Sequence, residues 1–326
     1  MDQDSNIDEF RNDILKGLSN PSQKSTPSKY LYDIEGSQLF ELITEQPEYY
    51  PTRTEIAILT EKAGSLIDSI SKDIVLIELG SGSSKKTRYL FDEILKRQQK
   101  LFYFPIDISI TFLGKIVTDL ETLSKNLVVR GIPDDYITGI KECNNILFEN
   151  NVRFDSFSRL IVFFGSSIGN FEPEQARDFL KQIRLNMHDK DFLLIGFDLI
   201  KQVDIIESAY NDKAGYTSKF NLNLLTRINK ELGGNFDLQE YYHHAFYNTQ
   251  ENRIEMHIKS KSDQKIKISG SEQTFYIRAS ETIHTENSYK YDKIKIEKLA
   301  TRSGFVVDQT FSDKDHLFNL VLLRPC

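Results

Sequence analysis

A chain of 326 residues, 39% hydrophobic and 27% charged, has the apolar content for one large core or two smaller ones, which excludes wholesale disorder. No apolar run is long enough to span a bilayer, and the acidic N-terminal segment lacks a signal-peptide core, so no membrane association or export is expected. A formal net charge of −7 disfavours a nucleic-acid partner, while two cysteines without a CxxC pair and six scattered histidines disfavour a metal site and fit a reducing, cytoplasmic setting.

Ile7, Phe10, Ile14, Leu15 and Leu18 recur at helical spacing and predict a helix over 6–18. Residues 19–29, rich in Ser, Pro and Lys, read as a loop. A second helical pattern follows Gly36, and a third runs from Thr54 to Ile70 through Ile58, Leu66 and Ile67. The texture then changes. Residues 74–79 form a short, continuous apolar run ending in glycine and serine, as a buried parallel strand does. Residues 101–106, 160–164 and 192–197 repeat it, and shorter runs at 127–129 and near Phe148 offer another strand. Helical segments at 86–97, 110–123 and 173–187 separate them, the last opening on a helix-compatible proline.

After residue 200 the pattern turns again. Thr217 can cap a helix carrying Phe220, Leu224, Leu225, Ile228 and Leu232. Residues 237–281 alternate apolar and polar positions, which predicts antiparallel strands, and the basic stretch 259–267 reads as their solvated face. The tail returns to the first style, with a helix near 291–303 and two strands at 305–311 and 317–323 expected to form a hairpin. Strands alternating with helices argue for an α/β, doubly wound (Rossmann-like) core interrupted by an inserted α+β piece. The expected core is 54–200 with 289–326, and the expected second domain is 1–53 with 201–288.

The segment Glu78-Leu79-Gly80-Ser81-Gly82 sits where the first strand turns into a helix, the switch point at which open parallel sheets bind ligands. It lacks the GxGxxG of dinucleotide sites and the GxxxxGK[ST] of nucleoside-triphosphate sites. Asp107 closes the next strand, where a carboxylate can accept from both hydroxyls of a ribose. Each element alone also fits a tight turn or a helix cap; together they favour S-adenosylmethionine. Asp134-Asp135-Tyr136 follows the third strand, where an adenine meets a carboxylate and an aromatic face, although Asp pairs are common in turns. Small residues and Asn170 follow the fourth strand, and the Asn170 amide can orient an amine or carboxylate. If 283–289 is extended, Glu286 and Ser288 point to the same side, where a carboxylate and a hydroxyl can serve the two nitrogens of an imidazole. A random Glu and Ser on an exposed strand would look the same.

Over nearly its whole length the chain resembles the histidine-specific Nα-methyltransferases of the ergothioneine pathway, relatives of the fungal tryptophan N-methyltransferases. The resemblance rests on Tyr32-Asp33, Gly36-Ser37, Leu39-Phe40, Ile43-Thr44 and the block 47–53, which lie outside the generic methyltransferase core. It continues through LGSGSSKKTR at 79–88, PID at 105–107, GSSIGNF at 165–171, AYND at 209–212, FNLN at 220–223 and TENS at 285–288. It implies a class I methyltransferase in which Gly80, Lys86, Asp107, Asp135 and Tyr136 hold S-adenosylmethionine. Asn170 and Tyr210 would be the catalytic pair gripping the α-amino and carboxylate groups, and Tyr49 or Tyr50 would close the pocket. Met256, Glu286, Asn287 and Ser288 complete the implied substrate site, with Phe220 beside them. The implied reaction is three methyl transfers to free L-histidine; a monomer is expected. Alternatives are another amino acid, such as a tryptophan derivative, and an inactive regulatory homologue that only binds the cofactor.

Overall fold

The computed structural model describes residues 3–149 and 156–326, which divide into two compact units: Pro51–Ile200 with Lys290–Cys326, and Met1–Tyr50 with Lys201–Tyr289.

The first unit is built on a seven-stranded sheet. Its order is Phe305–Ser312, Phe318–Pro325, Phe192–Asp198, Phe157–Phe163, Asp73–Leu79, Leu101–Ile106 and Leu127–Val129. Phe318–Pro325 runs antiparallel to both its neighbours, and every other pairing is parallel. The terminal hairpin expected from the sequence therefore completes the sheet edge. The strands are continuous apolar runs because helices cover them, and Leu76, Leu160, Val162, Leu194, Leu320 and Leu322 are fully buried. Each such side chain stabilises the fold by about 1.5–3 kcal/mol relative to exposure. Asp73–Leu79 lies beside the central strand Phe157–Phe163, where the connections reverse direction, so the turn that follows it opens at the switch point.

Two expectations need correction. The strand read from Leu160 starts at Phe157, because the buried Arg159 that breaks the apolar run is neutralised by Asp191, which accepts from Arg159 N at 2.9 Å and Nε at 3.0 Å. The run near Phe148 is not a strand: Tyr136–Glu149 is a helix that buries Ile140, Cys143, Ile146 and Leu147, leaving Phe148 exposed. Its period is 3.6, and a short window around one phenylalanine hides that.

The second unit carries a four-stranded sheet in the order Lys24–Ser25, Thr282–Tyr289, Arg253–Ser260 and Tyr241–Asn248, antiparallel except for the first pair. A separate ribbon joins Gln264–Lys267 to Thr274–Ile277, with Lys265 and Lys267 exposed as the basic stretch predicted. The helix Tyr216–Leu232 packs against this sheet through Phe220, Leu224, Leu225 and Ile228. Thr217 does not cap it. Asp212 does, accepting from Tyr216 N and Thr217 N at 2.8 Å each. The helix Ile34–Thr44 is capped by Asp33, whose carboxylate accepts from Gly36 N at 2.7 Å and from Asn223 Nδ2 at 2.8 Å. A Cβ on Gly36 would lie 1.8 Å from the Leu31 carbonyl oxygen, so this turn admits only glycine. Among the described residues no helix is long and apolar enough to cross a membrane.

Candidate active site

In the first unit the candidate side chains sit at the carboxyl ends of the strands. Gly80 and Gly82 take positive φ values of 68° and 45°, as does Ser84 at 51°, which bends the chain sharply between Leu79 and the helix Arg88–Leu95. Gly80 N and Ser81 N donate to the Ile106 carbonyl at 2.9 and 3.2 Å, tying the turn to the next strand. A Cβ on Gly80 would meet the Tyr136 hydroxyl at 3.0 Å, whereas one on Gly82 would meet nothing. The loop is thus closed on one side and open on the other.

Asp107 spans this opening, accepting from Gly82 N at 3.2 Å and Ser109 N at 3.0 Å. Burial pushes its carboxyl up against the pull of those backbone N–H groups. Tyr136 packs its ring on Phe163 and Phe179, and burial plus the nearby Asp107 charge push its phenol up to about 12, so it stays a neutral hydroxyl. Asp135 is more committed than expected. Its carboxylate caps the helix Tyr136–Glu149 through Ile137 N at 2.9 Å, Thr138 N at 3.1 Å and Thr138 Oγ1 at 2.6 Å, so any ligand must share it with that cap.

Lys86 does not extend into the loop's opening as a free cation. Its Nζ donates to Glu55 Oε2 at 2.7 Å, and Glu55, with no exposed surface, also accepts from Gly165 N at 2.9 Å. Glu55 therefore clamps the glycine turn to the loop 165–171. Its sequence context, an acid on the first turns of a helix, gave no sign of this. The loop itself starts on Gly165 and Ser166 at φ values of 76° and 57°, then forms the short helix Ser167–Asn170 that places Asn170. Ser166 Oγ accepts from Asp198 N at 2.9 Å, fixing that loop to the neighbouring strand. Beneath the turn, Glu78 accepts from Thr87 and Tyr103 in the core, and burial pushes its carboxyl up to about 7.

In the second unit the expected substrate residues gather in two groups. Tyr49 and Tyr210 are both buried, with ring centroids 6.3 Å apart, and Tyr49 continues through Phe40 to Phe220 and Tyr32 as one aromatic wall. Tyr50 instead accepts from Lys201 Nζ at 2.7 Å, so the two adjacent tyrosines have different surroundings. The second group is set by strand register. Glu286 is paired with Met256 and Ser288 with Ile254, which puts Met256, Glu286 and Ser288 on one face, all less than 10% exposed. Asn287 is not with them. It pairs with Glu255 on the opposite face, where its Oδ1 lies 2.9 Å from His284 Nε2. Side chains alternate along a strand, so three consecutive residues cannot line one pocket. On the Met256 face Asn221 joins the elements: its Nδ2 lies 2.9 Å from His243 Nδ1, and its Oδ1 accepts from Thr285 Oγ1 at 2.7 Å. His243 Nε2 in turn lies 2.9 Å from the Tyr210 carbonyl, so FNLN and AYND meet through a histidine that the sequence did not single out.

A family model for SAM-dependent, histidine-specific methyltransferases matches residues 10–325. The chain belongs to this family. The histidine N-alpha-methyltransferase of Mycolicibacterium smegmatis (strain ATCC 700084 / mc(2)155) is 34% identical over 319 residues, covering 98% of this chain and 96% of that protein. The enzyme of the same name from Mycobacterium tuberculosis (strain CDC 1551 / Oshkosh) is also 34% identical, over 86% of this chain and 84% of its own. Ergothioneine biosynthesis protein 1 of Schizosaccharomyces pombe (strain 972 / ATCC 24843) is 29% identical over 86% of this chain, within a longer protein of which the match covers 36%. Family membership makes S-adenosylmethionine the cofactor and the chain a methyltransferase. The glycine turn suits that cofactor, because the open side at Gly82 admits close approach to the backbone and Asp107 supplies an acceptor beside it.

Proposed function

We propose that this enzyme transfers methyl groups from S-adenosylmethionine to the α-amino nitrogen of free L-histidine, three in succession, giving Nα,Nα,Nα-trimethylhistidine (hercynine) on the route to ergothioneine. The observation that carries the choice of histidine is the shared, buried face of Met256, Glu286 and Ser288. A carboxylate there accepts from one imidazole N–H while a hydroxyl serves the other nitrogen.

When bound, the cofactor supplies an electrophilic methyl group, and the residues of the chain hold and orient. Gly80, Asp107, Asp135 and Tyr136 are the residues proposed to hold it. Lys86 acts one step away, through Glu55 and the backbone of Gly165. Asn170 and Tyr210 are proposed to orient the α-amino and carboxylate groups. The amine attacks as its neutral form, and since neither an amide nor a phenol is a strong base, its proton leaves to water. The aromatic wall that includes Tyr49 and Tyr210 tolerates the growing alkylammonium charge through its ring faces. Tyr49, rather than Lys201-bound Tyr50, is the tyrosine we assign to the pocket. We further take the enzyme to be a cytoplasmic monomer acting on a free amino acid rather than a nucleic acid, in keeping with its acidic balance and two unpaired cysteines.

The test is turnover with each of the twenty amino acids, read by mass spectrometry. Histidine should be the substrate consumed, with one-, two- and three-methyl products appearing in order. Preferred turnover of tryptophan would overturn the substrate, and cofactor binding without any turnover would favour an inactive homologue.

A further inference from the structure

The opposite face of the same sheet carries chemistry that the methyl transfer does not use. His244, His257 and His284 occupy directly opposed positions on Tyr241–Asn248, Arg253–Ser260 and Thr282–Tyr289, forming one row across three strands. The neighbouring row is Phe246, Glu255 and Asn287. One potential ligand atom from each of Glu255, His257 and His284 lies within 4.8 Å of the others. Glu255 Oε2 is 3.1 Å from His257 Nε2, and the two imidazole centroids are 4.9 Å apart. Ligand atoms around one tetrahedral ion with bonds of about 2.0–2.1 Å lie about 3.3 Å apart, so side-chain shifts of about 1 Å suffice to close the cluster.

A second observation points the same way. His257 is only 5% exposed, so the cluster is set away from solvent. The surroundings also hold the prospective ligands as outer partners do in metal sites. Glu255 Oε1 accepts from Asn248 Nδ2 and Arg253 Nε, each at 2.9 Å, which leaves Oε2 turned to the imidazole. Asn287 Oδ1 lies 2.9 Å from His284 Nε2 and helps to fix that ring beside His257.

We propose that Glu255, His257 and His284 form a binding site for a divalent transition-metal ion of the zinc class. Two imidazoles and one carboxylate suit zinc, cobalt, nickel or copper and discriminate against magnesium and calcium, which want more oxygen ligands. This revises the expectation of no metal. The histidines are scattered in sequence, and only the strand register aligns them; the Glu255-x-His257 spacing, two residues on one strand face, was the local sign.

The test uses the full chain, stripped with a chelator and dialysed. Titration with Co²⁺ should produce the visible absorption of a low-coordinate site at one ion per chain, and calorimetry with Zn²⁺ should give the same stoichiometry, unaffected by excess Mg²⁺. His257→Gln and His284→Gln should each weaken Zn²⁺ binding by at least about 100-fold, since even changes at outer partners cost 10–100-fold. Circular dichroism would confirm folding, and histidine methylation should persist because these side chains face away from Glu286. Glu255→Gln keeps the shape of the carboxyl and serves where a histidine variant folds poorly; it should weaken binding likewise. Absence of micromolar Zn²⁺ binding by the wild-type chain would overturn the proposal, as would wild-type affinity in any of these variants once folded.

Discussion

The two units place their candidate site residues by different rules. In the first, Gly80, Asp107, Tyr136 and Asn170 lie just past strand ends, each within a few residues of the turn that aims it. In the second, Met256, Glu286 and Ser288 lie inside strands, and pairing alone decides which neighbours share their face. A strand-end site is written locally, whereas a mid-strand site is written in the register. The consequence is that adjacent residues of the second unit, such as Glu286 and Asn287, have opposite fates.

The largest expected effect tests that contrast directly. A pocket that hydrogen-bonds a substrate group rejects analogues lacking it by about 10⁴, so wild type should prefer histidine over phenylalanine by that order in kcat/KM. Changing Glu286 and Ser288 together to alanine should collapse the ratio, while Asn287→Ala should leave it within about threefold, a shift of the size usual away from a site. Equal losses in both variants would mean that register does not separate the two faces. In the first unit, Lys290 and Asp198 form a buried pair at 2.7 Å with at most 1% of either side chain exposed. Lys290→Met should cost about 3–5 kcal/mol in urea unfolding, because it takes the cation out of a buried ion pair.

Glu78 gives a pH signature of comparable size. Its carboxyl titrates at about 7 in the fold because of burial, and near 4.5 when unfolded. Its contribution is therefore fully present below about pH 4.5 and is lost as pH climbs to about 7, a change of roughly 3 kcal/mol. Glu78→Gln should flatten that slope in denaturation curves taken across this window. The smallest effect is at the strand end. Asp107→Ala should weaken cofactor binding by about 1.5–3 kcal/mol by calorimetry, and unchanged affinity would remove Asp107 from the ribose role.

The same contrast explains what the sequence revealed. Continuous apolar runs marked the parallel strands, and the turn chemistry between Glu78 and Gly82 marked the switch point, because both signals span only a few residues. Arg159 hid the start of its strand, since its partner Asp191 is remote in the chain. Glu55 was illegible for the same reason: nothing beside it announces that it will meet Lys86 and Gly165. Glu286 and Ser288 could be paired by parity, yet Asn287 was carried along with them because a motif is contiguous and a strand face is not.

Thr285 bears on how this strand can change over generations. The register slips between His284 and Glu286, so one extra residue resets the alternation. Point substitutions at 286 and 288 can alter what the inward face accepts while leaving His284 and Asn287 untouched, and the reverse holds too. Loss of the bulged residue itself would restore plain alternation and keep both faces, whereas loss of a residue after Glu286 would turn every later side chain to the other side. Lineages that acquire new acceptors should therefore vary in residue type at 286 and 288 while keeping the length of the segment after Glu286 fixed.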